Sequence, residues 1–217
     1  MVLARDFYIR QVQTVAQDLL GRKLVRMING CRVTGIISET EAYDGEKDLA
    51  CHARSGKTQR NRVMYGESGR AYIYFTYGMH WMLNCIAGDE GYPAAVLIRA
   101  ILPVEGLVII QRNRASIPEK HWTDGPAKLA KALSIKGDLN GVDLTDPTSG
   151  LWIEKGTFVP PEKITRTPRI GIDNTPEPWK SKLWRYVLES GLEAVKKDII
   201  NSDMEMNCEQ DTKIAKF

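Results

Sequence analysis

Glu39, Glu41 and Tyr43 alternate in "ISETEAYDG" at positions 37–45, and His52 follows nine residues beyond the tyrosine. If 36–43 is extended, those three side chains share one face. A buried strand has no use for two carboxylates on one face unless something pairs with them. A strand in solvent does not need them beside an aromatic ring. A carboxylate held next to aromatic walls can take a proton from water or stabilise a developing positive charge. The competing reading is a glutamate on an edge strand, the commoner fate of such a residue.

A second cluster lies downstream. Tyr72, Tyr74, Phe75, Tyr77 and Trp81 fall within ten residues. Alternation sets Tyr72 and Tyr74 on one face and Ile73 and Phe75 on the other. For Tyr72, a core ring with its hydroxyl at the rim and a ligand-facing ring are equally good readings. Tyr77 stands beside Gly78 where the chain reverses, a poor place to bury a ring and a good one for a wedge between base pairs. Just before this ridge, "HARSGKTQRNRVMYG" carries Arg54, Lys57, Arg60 and Arg62. A solvated loop explains these charges. So does a phosphate backbone whose bases stack on the neighbouring rings.

The elements that must position these groups are legible in outline. Val12, Val15, Ala16, Leu19 and Leu20 form a helical stripe that stops at Gly21. "KLVRMINGCRVTGII" reads as a hairpin around Asn29-Gly30, a pair suited to a type I′ turn. Its second strand runs into the acidic stretch. Residues 52–70 read as a long loop, of a length that goes with function or with mobility. Ala71–Thr76 and Trp81–Ala87 read as paired strands, Ala94–Leu102 as a strand ending at Pro103, and 105–114 as helix. Gly125-Pro126 opens another helix, with Leu129, Ala132 and Leu133 behind it. Short strands are expected at 151–154, 168–172 and 184–188. No repeat or linker interrupts the chain, which reads as one mixed α+β domain.

The totals narrow the function classes. The 217 residues suffice for one domain, and 43% hydrophobic content supports an ordinary core. No apolar run is long enough to span a bilayer, and "MVLARDFYIRQVQ" lacks the apolar centre of a secretion signal. Four scattered cysteines without a CxxC pair, and three histidines far apart, argue against zinc and for reduced thiols in a cytoplasm. The formal charge of +3 is compatible with nucleic acid without requiring it. Arg99 sits in an apolar run, where an unpaired guanidinium is costly, so a carboxylate partner is expected.

Five blocks together resemble the alkyladenine (3-methyladenine) DNA glycosylase family. They are "ETEAY" at 39–43, "RNRVMYG" at 60–66, "YIYFTYGMHWMLN" at 72–84, "VLIRAILPVEG" at 96–106 and "GPAKLAKAL" at 125–133. The resemblance spans roughly residues 5 to 190. It implies a single α+β domain, a curved antiparallel sheet with surrounding helices, similar to the C-terminal domain of methionyl-tRNA formyltransferase. It implies excision of alkylated or deaminated purines from double-stranded DNA by a monomer, with no metal, no cofactor and no membrane. Together with the missing targeting extension, it leads us to expect a bacterial, nucleoid-associated cytoplasmic protein. We take residues 1–195 as the glycosylase domain and 196–217 as a polar, frayed tail.

The resemblance also assigns roles. Glu41 matches the general base that activates water, with Glu39 as a structural neighbour. Arg99 matches the arginine that holds that water. Tyr43, His52 and Tyr74 match the walls of a pocket for the flipped base, and Asn84 matches an asparagine at its floor that crowds the exocyclic amine of guanine. The Ile170 carbonyl completes the water site. Tyr77 matches the residue that fills the gap in the duplex. Lys128, at the Gly125-Pro126 helix start, resembles a phosphate-facing element, and with Arg54, Arg60 and Arg62 makes the expected backbone contacts. A non-catalytic single-strand-binding module is the competitor. It would use the basic loop and the tyrosines equally well but would gain nothing from Glu41.

Overall fold

The computed structural model describes residues 1–188. The expected domain boundary at 195 and the polar tail lie outside the described residues. Among the described residues the strands are β1 Lys23–Ile28, β2 Cys31–Asp44, β3 Ala71–Thr76, β4 His80–Ala87, β5 Ala94–Glu105, β6 Leu151–Glu154, β7 Ile164–Thr167 and β8 Arg185–Leu188. These eight form an open antiparallel sheet in the order β3-β4-β5-β2-β1-β6, with β8 beside β2 and β7 beside β8. The α-helices are α1 Val12–Asp18, α2 Leu107–Asn113 and α3 Pro126–Ala132. The expected α+β class and its hairpins are present. Asn29 and Gly30 take positive φ of 51° and 79°, as a type I′ turn requires.

One face of the sheet is apolar. Ile73, Leu83, Ile98 and Ile101 join Val15, Ala16 and Leu19 of the α1 region and Leu129 and Leu133 of the α3 region in one buried cluster. Removing such apolar area from water is the main stabilising term. Among the described residues no helix is long and apolar enough to cross a membrane.

The long strand β2 organises the site. One of its edges pairs with β5 along 34–44, while the other is shared between β1 and β8. In the β2–β5 ladder Ile37 faces Ile101, Glu39 faces Ala100 and Thr40 faces Ile98. Ser38 on β2 and Arg99 on β5 are thus each an extra residue. A bulge shifts the alternation of a strand by one, and it does so here twice. On β2, Val33 and Ile37 face the apolar cluster before the bulge and Ala42 faces it after; Thr40 likewise turns back to donate to the Ala16 carbonyl. On β5, Ala94, Val96 and Ile98 face the cluster before the bulge and Ile101 after it. The consequence is that Glu39, Glu41 and Tyr43 share the opposite face, with Arg99 aimed at them.

Two expected strand limits move. The strand foreseen at 168–172 lies instead at Ile164–Thr167. Pro168 lacks the N–H that a ladder needs, and Gly171 has φ 78°, so 168–172 runs as irregular chain. In contrast, β5 continues through Pro103 to Glu105. Pro103 sits opposite Gly35 at a third register shift of the same ladder, where a strand tolerates proline.

Candidate active site

Four adjacent strands present alternate residues to one cavity of about 320 Å³. Tyr43 comes from β2, Ala95, Leu97 and Arg99 from β5, Met82 and Asn84 from β4, and Tyr72, Tyr74 and Thr76 from β3. His52 and Met64 of the loop close one side, and Ile170 to Ile172 close another. The volume lies at the low end for small-molecule pockets, roughly 300–1,000 Å³, a size for one planar heterocycle. A wider open cavity lined by Arg54, Ser55 and 171–175 adjoins it across His52 and Tyr77.

Glu41 is fully buried. It lies just behind the wall, enclosed by Tyr43, Arg99 and Ile170. Tyr43 Oη donates to Glu41 Oε2 at 2.9 Å, and the Ile170 N–H donates to Oε1 at 2.7 Å. Arg99 Nη1 stands 3.3 Å from the same Oε1. Burial pushes the Glu41 carboxyl above the ordinary glutamate range, while Arg99, the Ile170 amide and the Tyr43 hydroxyl pull it back. A carboxylate has about four lone-pair sites, so these contacts leave room for a water. Glu39 is spent otherwise. It accepts from Arg99 Nε at 2.5 Å and from Arg185 Nε at 2.6 Å, which is the carboxylate pairing that Arg99 required.

The walls are neutral and aromatic. The His52 and Tyr74 ring centroids are 4.5 Å apart at 77°, and Tyr72 and Tyr74 lie 5.4 Å apart. His52 Nδ1 meets Tyr72 Oη at 3.0 Å. Burial of the imidazole, then the nearby Arg60 and Arg54, push its pKa down to about 4, so His52 is uncharged near neutrality. Asn84 is buried, and its Nδ2 donates to the Tyr72 carbonyl at 3.0 Å.

At the tip of the β3–β4 hairpin Tyr77 is 80% exposed. Its φ of 51° and the 67° of Gly78 make a type I′ turn. Left-handed backbone is uncommon for a bulky residue. The basic residues divide. Arg60 lies against the wall, 5.3 Å from the Tyr74 centroid, and donates to the Phe75 carbonyl. Arg54 donates to the Leu49 carbonyl beside the wider cavity. Arg62 is exposed in the short turn Arg62–Tyr65. Lys128 is half-exposed and ion-paired with Asp124 at 2.8 Å.

The structure therefore gathers Glu41, Arg99, Tyr43, His52, Tyr74, Asn84 and Ile170 around one cavity, with Tyr77 at its mouth. Ile170 also holds Glu41 through its N–H, a contact the sequence did not announce. Sequence reasoning left Tyr72 undecided, and the structure makes it a buried wall residue. It missed Arg185 and the buried pair Asp48–Arg169. An arginine flanked by proline and isoleucine in "TPRIGI" was the available signal for the latter. Among the described residues no group of three or more His, Cys, Asp or Glu could hold a metal ion, and Cys31, Cys51 and Cys85 are free thiols.

The sequence profile of the family described as Methylpurine-DNA glycosylase matches residues 6–191. A protein of Methanocella arvoryzae, provisionally named 3-methyladenine DNA glycosylase, is 48% identical over 184 residues, 82% of this chain and 90% of its own. A protein of the same provisional name from Carboxydothermus hydrogenoformans is 51% identical over 173 residues, 80% of this chain and 90% of its own. Another from Clostridium acetobutylicum is 39% identical over 209 residues, 91% of this chain and all of its own. The chain belongs to the methylpurine-DNA glycosylase family.

Proposed function

We propose that this family member is a monofunctional DNA glycosylase that turns an alkylated or deaminated purine out of duplex DNA and hydrolyses its N-glycosidic bond. One observation carries the reading. A buried carboxylate, Glu41, is held by Arg99, Tyr43 and Ile170 directly behind the wall of a neutral aromatic pocket sized for one base.

Extruding a nucleotide costs roughly a few kcal/mol, which Tyr77 offsets by filling the vacated stack. Alkylated purines are often cationic, and each electron-rich ring facing them contributes about 0.5–2 kcal/mol. A neutral His52 preserves that attraction. A water between Glu41 and Arg99 attacks the sugar C1′ and passes its proton to Glu41. The C1′–N bond breaks and its electron pair leaves with the purine, giving an abasic site. Ordinary glycosidases divide this work between two carboxylates. Glu39 is unsuited to be the second, because two arginines already hold it. Asn84 crowds the exocyclic amine of guanine at the floor, and Arg54, Arg60, Arg62 and Lys128 meet the phosphates. We further read the enzyme as a monomer in a bacterial cytoplasm, and its sheet as akin to the formyltransferase C-terminal domain.

The test is incubation with a duplex carrying hypoxanthine or 7-methylguanine, then alkali to cut at abasic sites. Cleavage at the lesion by the parent protein, absent with Glu41→Gln, is expected. Tight binding without cleavage on either lesion would return the pocket to a single-strand-binding role.

A further inference from the structure

The pair Asp48–Arg169 takes no part in the chemistry above, yet both side chains are wholly buried. The two residues are 121 positions apart. Arg169 Nη1 donates to Asp48 Oδ2 at 2.5 Å and to the Ala42 carbonyl at 2.9 Å. Its Nη2 donates to Asp48 Oδ1 at 2.9 Å and to the Trp179 carbonyl at 3.2 Å. The guanidinium lies 4.7 Å from the Tyr43 ring centroid and 5.0 Å from that of Trp184. Asp48 also accepts from the Asp44 and Ala50 amides, at 3.1 and 3.0 Å.

Stability alone is a weak reason for such a pair, since well-packed apolar residues commonly do as well. Its placement gives a better one. Arg169 grips the carbonyl of Ala42, next in chain to Glu41, and is itself next in chain to Ile170, whose N–H meets Glu41 Oε1. The 168–172 segment belongs to no strand, so no ladder holds that amide in place.

We propose that Asp48 and Arg169 are positioning residues for Glu41: their buried clamp fixes the Ile170 peptide so that its N–H holds the carboxylate oriented and ionised. The proposal rests on the glycosylase reading. Around Glu41 stand Glu39 and Tyr43 from β2, Arg99 from β5, Tyr74 from β3 and Arg185 opposite it on β8, with Arg169 behind Tyr43. Loosening the Ile170 amide removes one of the contacts that oppose the effect of burial, so Glu41 ionises at higher pH.

Two variants test this, Arg169→Lys and the double variant Asp48→Leu/Arg169→Met, the second exchanging the ion pair for apolar side chains so that no unpaired charge is left buried. Single-turnover excision of 7-methylguanine is followed across pH, and isotope-labelled glutamate carboxyls are followed by NMR without DNA. The double variant is expected to shift the acid limb and the Glu41 titration up by about one pH unit and to lower the plateau about tenfold. Arg169→Lys, which keeps the charge and part of the bonding, is expected to fall between it and the parent. A folded double variant whose acid limb and Glu41 titration coincide with the parent's overturns the proposal. Amide exchange in the unsubstituted protein adds an arm free of folding risk. Ile170 is expected to exchange much more slowly than Gly171, and equal rates overturn the clamp. A parent that excises nothing sinks the glycosylase reading, while the titration and exchange arms still decide the clamp.

Discussion

On one face of β3, β4 and β5 stand Ile73, Leu83 and Ile98; on the other, one residue along the same strands, stand Tyr74, Asn84 and Arg99. The first face is covered by α1 and α3, whose backbones satisfy their own hydrogen bonds. The second is covered by irregular chain, residues 45–70 and 168–172, whose backbone groups need partners from side chains. Buried Asn61 donates to the carbonyls of His52 and Gly56 and accepts from the Thr58 amide. Arg169 serves the carbonyls of Ala42 and Trp179. One face thus buries apolar area and the other buries charge and polar contacts. Substitutions on the two faces are therefore expected to fail in different measurements.

The largest separation is expected at Glu41. Glu41→Gln keeps the shape, and its amide oxygen can accept from Ile170 and Arg99 while its NH2 faces the Tyr43 hydroxyl. Excision is expected to fall by about 10²–10⁴-fold, the range for loss of a general base, with affinity for damaged duplex and the melting temperature near the parent's. Single-turnover rates within tenfold of the parent would remove Glu41 from the chemistry. The mirror experiment is Leu83→Ala on the apolar face. Leu83 is fully buried, so unfolding free energy is expected to drop by about 2–5 kcal/mol. Excision below the melting transition stays unchanged. A variant that keeps its stability but loses excision would break the division between faces.

That division was partly legible in the residues. Alternation already put Tyr72 with Tyr74, and Glu39 with Glu41 and Tyr43. What it could not show was the pair of bulges at Ser38 and Arg99. Without them, the face carrying Val33 and Ile37 would continue into Glu39 and Glu41, and the carboxylates would sit among the apolar residues. A bulge is a property of two strands in register, and neither strand announces it alone. Asp48 and Arg169 escaped for a related reason. Each looks like a surface charge until the fold brings it to its partner. The strand foreseen at 168–172 was misplaced because Pro168 and Gly171 break a ladder that the apolar pattern alone suggested.

Dependence on pH sharpens the polar face further. As the proposed base Glu41 must be ionised to take a proton, and burial raises its carboxyl above the ordinary glutamate range. Every lesion is therefore expected to show excision rising with pH along an acid limb displaced upward from that range. A cationic lesion such as 3-methyladenine leaves without further protonation, so its rate then plateaus. Hypoxanthine is neutral and needs a proton on its ring to leave. Its rate is expected to fall by up to about tenfold per pH unit on the alkaline side, giving a bell. His52, with a pKa of about 4, stays neutral along the alkaline limb and does not shape it. Bells for both lesions would mean that a group of the enzyme sets the alkaline limb, and the single-carboxylate scheme would be wrong.

The smallest effect is expected where the two demands meet in one residue. Tyr77 contributes nothing to the core: it is 80% exposed, and its φ of 51° is a conformation that residues other than glycine, asparagine and aspartate adopt at a cost of roughly 1–2 kcal/mol. Asn-Gly is the pair best suited to this turn type. Tyr77→Asn is therefore expected to raise unfolding free energy by about 1 kcal/mol while weakening binding to a lesion in duplex DNA. The same lesion in an unpaired strand, which has no stack to fill, is expected to bind with nearly unchanged affinity. Denaturant unfolding and binding to the two substrates read these separately. Equal losses of affinity on both would leave the wedge without support. A loss of stability would show that the ring makes contacts which offset its strained backbone, and that the tip belongs with the apolar face after all.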